Sequence, residues 1–169
     1  MDDRVGPAYL AEAVRVLRQY KGLGDRAIAQ VAPEAVFRPL DAEANSIAIL
    51  IHHMAGNMRS RWTDFLTSDG EKPDRNRDAE FETVPGSDLA ALLEEWEEGW
   101  RLTLDAVEAL GPDDLLREVR IRGEPLSVLQ AIDRQVCHYA YHVGQIVLLA
   151  KHARGAAWET LSMPRRRTS

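Results

Sequence analysis

The chain has a single cysteine, Cys137, among its 169 residues. One thiol excludes an intrachain disulfide, so a reducing, cytoplasmic setting is expected. No apolar run reaches the length of a bilayer span, and no membrane partner is expected. The opening MDDRVGPAYL is acidic and lacks the apolar stretch of a signal peptide. An excess of positive charge is also missing. Lysine and arginine number 21 against 27 acids, a net charge of −6. A generally basic nucleic-acid surface is therefore not expected, although a net charge leaves room for a local basic patch, and no nucleic-acid partner is expected. Internal repeats and low-complexity tracts are absent. What remains, at 45% hydrophobic and 28% charged, is the balance of one ordinary globular domain over residues 1–169.

The periodicity predicts four long helices. The first runs from about Pro7 to Val31, with Leu10, Val14 and Leu17 at helical steps; Gly22 and Gly24 mark a candidate kink, and Pro33 and Pro39 end it. A second opens at Asn45-Ser46, either of which can cap a helix. Its apolar stripe from Ile47 through Trp62 and Phe65 ends at Asp69-Gly70. A third starts at Ser87 or Asp88 and stops at Gly111-Pro112, with an acidic outer face of Glu94, Glu95, Glu97 and Glu98. The fourth opens at Ser127, where Ser127-x-x-Gln130 spells a capping box, and ends at Gly155. Residues 155–169 form a patternless tail in which Trp158 is expected to tether the end and Arg165 to Arg167 to stay solvated.

Two connections carry information. Glu71 to Pro85 is charged and aperiodic, and is long for a plain crossover, so it should span the bundle or help build a site. Alternation at Val119 and Ile121, followed by Arg122-Gly123, allows a small β-hairpin before the fourth helix; strands this short would be marginal alone. The fold class is therefore all-α, a helical bundle.

All five histidines fall on two of these helices. His138 and His142, four residues apart, lie one turn above the other on one face, the spacing by which two imidazoles bind one metal ion. They share a stripe with Gln135 and Gln145 beside the main apolar stripe. On the second helix His52 and His53 are adjacent and about 100° apart. They flank its apolar stripe on opposite sides, and the helical wheel does not choose between them. Arg59, Arg61, Arg75 and Arg77 gather near the crossover among as many acids. Arginines so placed either grip a carboxylate or phosphate or pin the loop through ion pairs; the neighbouring acids favour pinning. Cys137, pointing about 100° from His138, reads as a packing residue. Trp62, Trp96 and Trp100 read as core.

Three stretches, SIAILIHHMAGN, CHYAYHVGQI and NMRSRWTDFLTSDGEKPDRNRDAEF, resemble the DinB/YfiT-like superfamily. The resemblance covers nearly the whole chain, and NMRSRW…DGEK…RNRD resembles one branch of it. It implies a four-helix bundle in up-down-down-up order, with a long crossover between helices two and three, commonly as a homodimer. It also implies a divalent metal, zinc or nickel, on His53, His138 and His142, with His52 and His152 left without a ligand role. Asn57, Arg61 and Gln145 are then candidates to support the ligands or to touch substrate. Some members of the superfamily use a low-molecular-weight thiol. The expected function is thus a metal-dependent enzyme, a thiol-dependent transferase or a hydrolase, acting on a small molecule. The alternative is a non-catalytic, metal-binding dimeric bundle serving as a binding or assembly module.

Overall fold

The computed structural model describes residues 4–82 and 88–163. Among them are α1 (Val5–Ile28), α2 (Pro33–Val36), α3 (Ile47–Trp62), α4 (Leu89–Glu108) and α5 (Val128–Arg154). One antiparallel hairpin, β1 (Glu118–Ile121) and β2 (Glu124–Ser127), precedes α5. The four long helices share one core, with α1 packed on α4 and α5, and α3 packed on the same two.

The local signals act where their chemistry requires. The Ser46 hydroxyl accepts from the Ile49 N–H at 3.2 Å, and the Asp88 carboxylate accepts from Ala91 N–H at 2.7 Å, each satisfying a donor that the first helical turn leaves free. Ser87, the other candidate start, lies outside the described residues. At α5 both halves of the capping box form: Gln130 N–H donates to Ser127 Oγ at 3.2 Å, and Ser127 N–H donates to Gln130 Oε1 at 2.8 Å. Gly155, with φ of +60°, follows the last turn of α5.

Three expectations are corrected. Helix α1 is continuous through Gly22 and Gly24 rather than kinked. Gly24 is there for a neighbour: a Cβ at this position would sit 2.7 Å from the Trp96 ring. Helix α3 ends at Trp62, well before Asp69-Gly70. Thr63 turns extended, Asp64 takes a φ of +49°, and the Asp64 carbonyl then accepts from Thr67 and Ser68. Phe65 prolongs the apolar stripe although the helix has stopped, because its ring still meets Trp62 at 4.8 Å. Pro33, finally, opens the short helix α2, as suits a residue with no N–H to lose in a first turn.

Trp96, Trp100 and Tyr139 are the largest fully buried side chains, and they meet edge to face at 5.5 and 5.4 Å. The buried indole of Trp62 donates to the Tyr139 hydroxyl at 2.9 Å. Trp158 is half-buried against the core, and Gln30 ties the segment after α5 to α1 by hydrogen bonds to both backbone groups of Glu159. Arg165 to Arg167 lie outside the described residues.

The hairpin is held from two sides. Val119 and Ile121 bury into the core. On the other side the Asp69 carboxylate accepts from the backbone N–H of Arg122 and of Gly123 at 2.8 and 2.7 Å, and Gly70 N–H donates to the Arg120 carbonyl at 2.7 Å. The crossover and the hairpin are thereby one unit, which explains how two four-residue strands persist.

Tyr139→Phe leaves the buried Trp62 N–H without its acceptor. It should lower unfolding free energy by about 1–3 kcal/mol in urea denaturation, with the slope unchanged.

Candidate metal centre

His53 stands on α3, and His138 and His142 on α5. The packing of these helices brings one ring nitrogen of each within 4.8 Å of the others. His53 and His142 are 4% and 5% exposed. Nε2 of His53 and Nε2 of His138 face each other at 3.4 Å. Two nitrogens on one tetrahedral zinc, at about 2.0–2.1 Å each, would stand about 3.3–3.4 Å apart.

The outer nitrogens decide which way the lone pairs point. His53 Nδ1 lies 2.9 Å from Glu80 Oε2, and His142 Nδ1 lies 2.8 Å from Gln145 Oε1. A carboxylate and an amide oxygen can only accept. Each Nδ1 therefore carries a proton and donates, which leaves Nε2 as the ring nitrogen through which either residue would hold a metal. Fixing a ring from its far nitrogen is the usual way proteins orient histidine ligands. Two buried atoms are left without a partner, His142 Nε2 and His138 Nδ1.

Lone pairs converging in a buried place repel unless a proton or a cation lies among them. A proton is disfavoured here. Burial, reinforced by the neighbouring His142 and His53, pulls His138 down to about 3. His142 falls to about 4, again through burial, against the opposing hydrogen bond with Gln145. Imidazoles kept neutral, as burial keeps His138 and His142, are what a divalent ion requires, and the three histidines are close enough together to hold one.

Glu80 comes from the crossover, on a 3-10 turn at Ala79–Phe81. Arg75 grips both its oxygens at 2.7 Å. Burial pushes the Glu80 carboxyl up, but hydrogen bonds from His53 and Arg75 outweigh it and hold it below the usual carboxylate range. Phe81, on the same turn, lays its ring against His53 with centroids 4.5 Å apart. The turn reaches α3 only because residue 56 is glycine: a Cβ there would stand 2.3 Å from Glu80 Oε1.

The other candidates divide. Gln145 touches His142 directly. Asn57 is buried one turn beyond His53 and borders the same cleft, with its Oδ1 3.4 Å from the Tyr139 hydroxyl. Arg61 also borders the cleft, and its two terminal nitrogens go to the Gly70 carbonyl and, at 3.0 Å, to Glu71. Glu71 in turn pairs with Arg75 at 3.1 Å and Arg122 at 3.0 Å. Arg61 and Arg75 thus pin the crossover. His52 is directed elsewhere, with Nδ1 2.7 Å from Glu95 on α4. His152 is exposed in the last turn of α5, where a cation is favoured. Cys137, expected to pack, is exposed and borders the cleft; on α5 the inner face is taken by Ile132, Tyr139 and Ile146.

Arg75 was expected from the sequence to pin the loop, whereas Glu80, Phe81 and Gln135 were given no part in the site. Gln135 had a signal, since it shares a helical stripe with His138 and His142. Glu80 had none, because an aperiodic loop says nothing about which of its acids turns inward.

The cleft onto which the three histidines open measures about 440 Å³. No fourth His, Cys, Asp or Glu joins the cluster among the described residues. The three histidines could therefore hold a metal ion beside open space.

Residues 4–167 match the family described as protein of unknown function (DUF1572), and the chain belongs to that family. No curated protein matches the chain.

Two outcomes test this geometry. Unfolded histidines protonate near pH 6.5, whereas His142 and His138 do so at about 4 and about 3 in the fold. Between those limits the unfolded chain binds more protons, so metal-free protein should lose stability as pH falls from 6.5 towards 4, and the contribution should level off below about 3. Urea midpoints across this range check it. Gly56→Ala should push Glu80 off His53, weaken zinc binding about 10-fold in competition with a chelator, and lower the melting temperature of the metal-free protein as well, because the buried Glu80–Arg75 pair is disturbed with it.

Proposed function

We propose that this chain is a metal-dependent enzyme acting on a small molecule, as its resemblance to the DinB/YfiT-like superfamily implies. The pairing of α1 and α3 with α4 and α5 agrees with that superfamily's up-down-down-up four-helix bundle. The observation that carries the reading is the pair of tied-off outer nitrogens. Glu80 and Gln145 leave His53 and His142 with inward lone pairs, and His138 completes the set beside an open cleft.

His53, His138 and His142 would hold the ion. When bound, it would supply Lewis-acid polarisation of a carbonyl or acidify a thiol or water. The chain's own residues have distinct tasks. Glu80 and Gln145 hold the imidazoles in place and raise their donor strength. Phe81 covers one face of His53 and excludes water from it. Asn57 and Gln135, both buried at the cleft, offer amide groups that can orient a bound molecule. Thiol transfer and hydrolysis both suit such a site, and the exposed Cys137 at its edge is not needed for either.

Purified protein should carry close to one divalent ion per chain, and His53→Ala and His142→Ala should each lose it on dialysis. Retention of full metal in both variants overturns the assignment. A panel of electrophiles offered with several low-molecular-weight thiols, or with water alone, should then give turnover that a chelator abolishes. Metal binding without any metal-dependent turnover would favour the assembly-module reading instead.

A further inference from the structure

The charged side chains bordering the histidine cleft are of one sign. No aspartate or glutamate borders it among the described residues, whereas five arginines do. Two of these, Arg61 and Arg75, have their charge answered from behind by Glu71 and Glu80. The other three are differently placed. Arg134 makes no ion pair or hydrogen bond among the described residues and is exposed one turn of α5 before His138. Arg77 lies over the Phe81 ring, 5.1 Å from its centroid, and its one ion pair among the described residues is with Asp78, at 3.6 Å, whose side chain is 94% exposed. Arg122 gives its Nε to Glu71, and its two terminal nitrogens have no partner among the described residues.

Arg122 also sits in a backbone conformation that disfavours it. It occupies the first position of the two-residue hairpin turn with a φ of +58°, where glycine, asparagine or aspartate is the ordinary choice. The Asp69 carboxylate holds it there through the Arg122 and Gly123 N–H groups. A strained arginine whose side chain borders the cleft is a feature the turn itself does not need.

Two further groups are unsatisfied. Gln135 is 3% exposed and Arg61 4% exposed; both border the cleft, and Gln135 Oε1 and Arg61 Nε are buried without partners. A buried amide oxygen and a buried guanidinium N–H left open beside a cationic wall call for a ligand with its own donors and acceptors. The cleft volume is that of a small molecule, and low-dielectric walls concentrate the field of the arginines within it.

We propose that this cleft takes an anionic small molecule, its carboxylate or phosphate group held by Arg77, Arg122 and Arg134 while its other end reaches the three histidines. Guanidinium groups grip either oxyanion through paired hydrogen bonds. The reacting end of this assignment rests on the metal reading; the arginine wall does not, because it stands without an ion.

The test is calorimetric titration of the full chain, zinc-loaded and zinc-free, with glutarate, ethyl phosphate and the uncharged glutaramide. Glutarate or ethyl phosphate should bind in both forms, and glutaramide should not. Raising salt from about 0.05 to about 0.5 M should weaken binding several-fold. Arg77→Ala and Arg134→Ala should each weaken it about 10-fold. Arg122→Asn should do the same while holding or raising the melting temperature, because asparagine tolerates the positive φ. That divergence separates a ligand-holding role from a structural one. The proposal is overturned if neither anion binds better than glutaramide, or if the three variants bind as the parent does. Anion binding in a protein that never takes up zinc would sink the metal reading and leave this one standing. Zinc binding without anion binding would do the reverse.

Discussion

Glu80 is the group on which the rest of the site depends. Its side chain is 7% exposed, and a carboxylate so buried costs several kcal/mol unless its charge is answered. Arg75, itself 5% exposed, answers it with two hydrogen bonds, and His53 adds a third. None of the three is tolerable in that position alone. The crossover must therefore close over α3 in one arrangement, and Gly56 is the opening in the helix surface that lets it do so.

From that closure several features follow together. The Ala79–Phe81 turn fixes the His53 tautomer with one residue and covers its ring with the next. Glu71, at the start of the same segment, gathers Arg61, Arg75 and Arg122, and Asp69 fastens the hairpin turn. A long charged connection and a short hairpin, each weak alone, become the two walls of one cleft. The acids are used behind those walls, and this is why the face towards the cleft is left positive. The same wiring divides the arginines at the cleft: Arg61 and Arg75 hold the loop, while Arg77, Arg122 and Arg134 make up the proposed anion site.

Much of the framework was legible in the residues. The apolar periodicity of α1, α3, α4 and α5, the caps at Ser46 and Ser127, and the stop at Gly155 are local effects, set within a turn or two of chain. The alternation at Val119 and Ile121 was equally local. Errors arose where a distant partner overruled the neighbourhood. Gly24 looked like a kink and is a seat for Trp96. Phe65 looked helical because its ring stays on the stripe after the backbone has left it. Cys137 looked like packing, yet the apolar surface of α5 was already supplied by larger neighbours.

The sequence by itself determined that His138 and His142 share a helix face, since four residues on an α-helix is about one turn. It could not choose between His52 and His53 by spacing, because neighbours on a helix differ only in direction and direction matters only once something stands opposite. Tertiary structure made that choice: α5 faces His53, and Glu95 of α4 takes His52. It also chose Glu80 from among the acids of the crossover, because a buried hydrogen bond forms between groups 27 residues apart that no periodicity links.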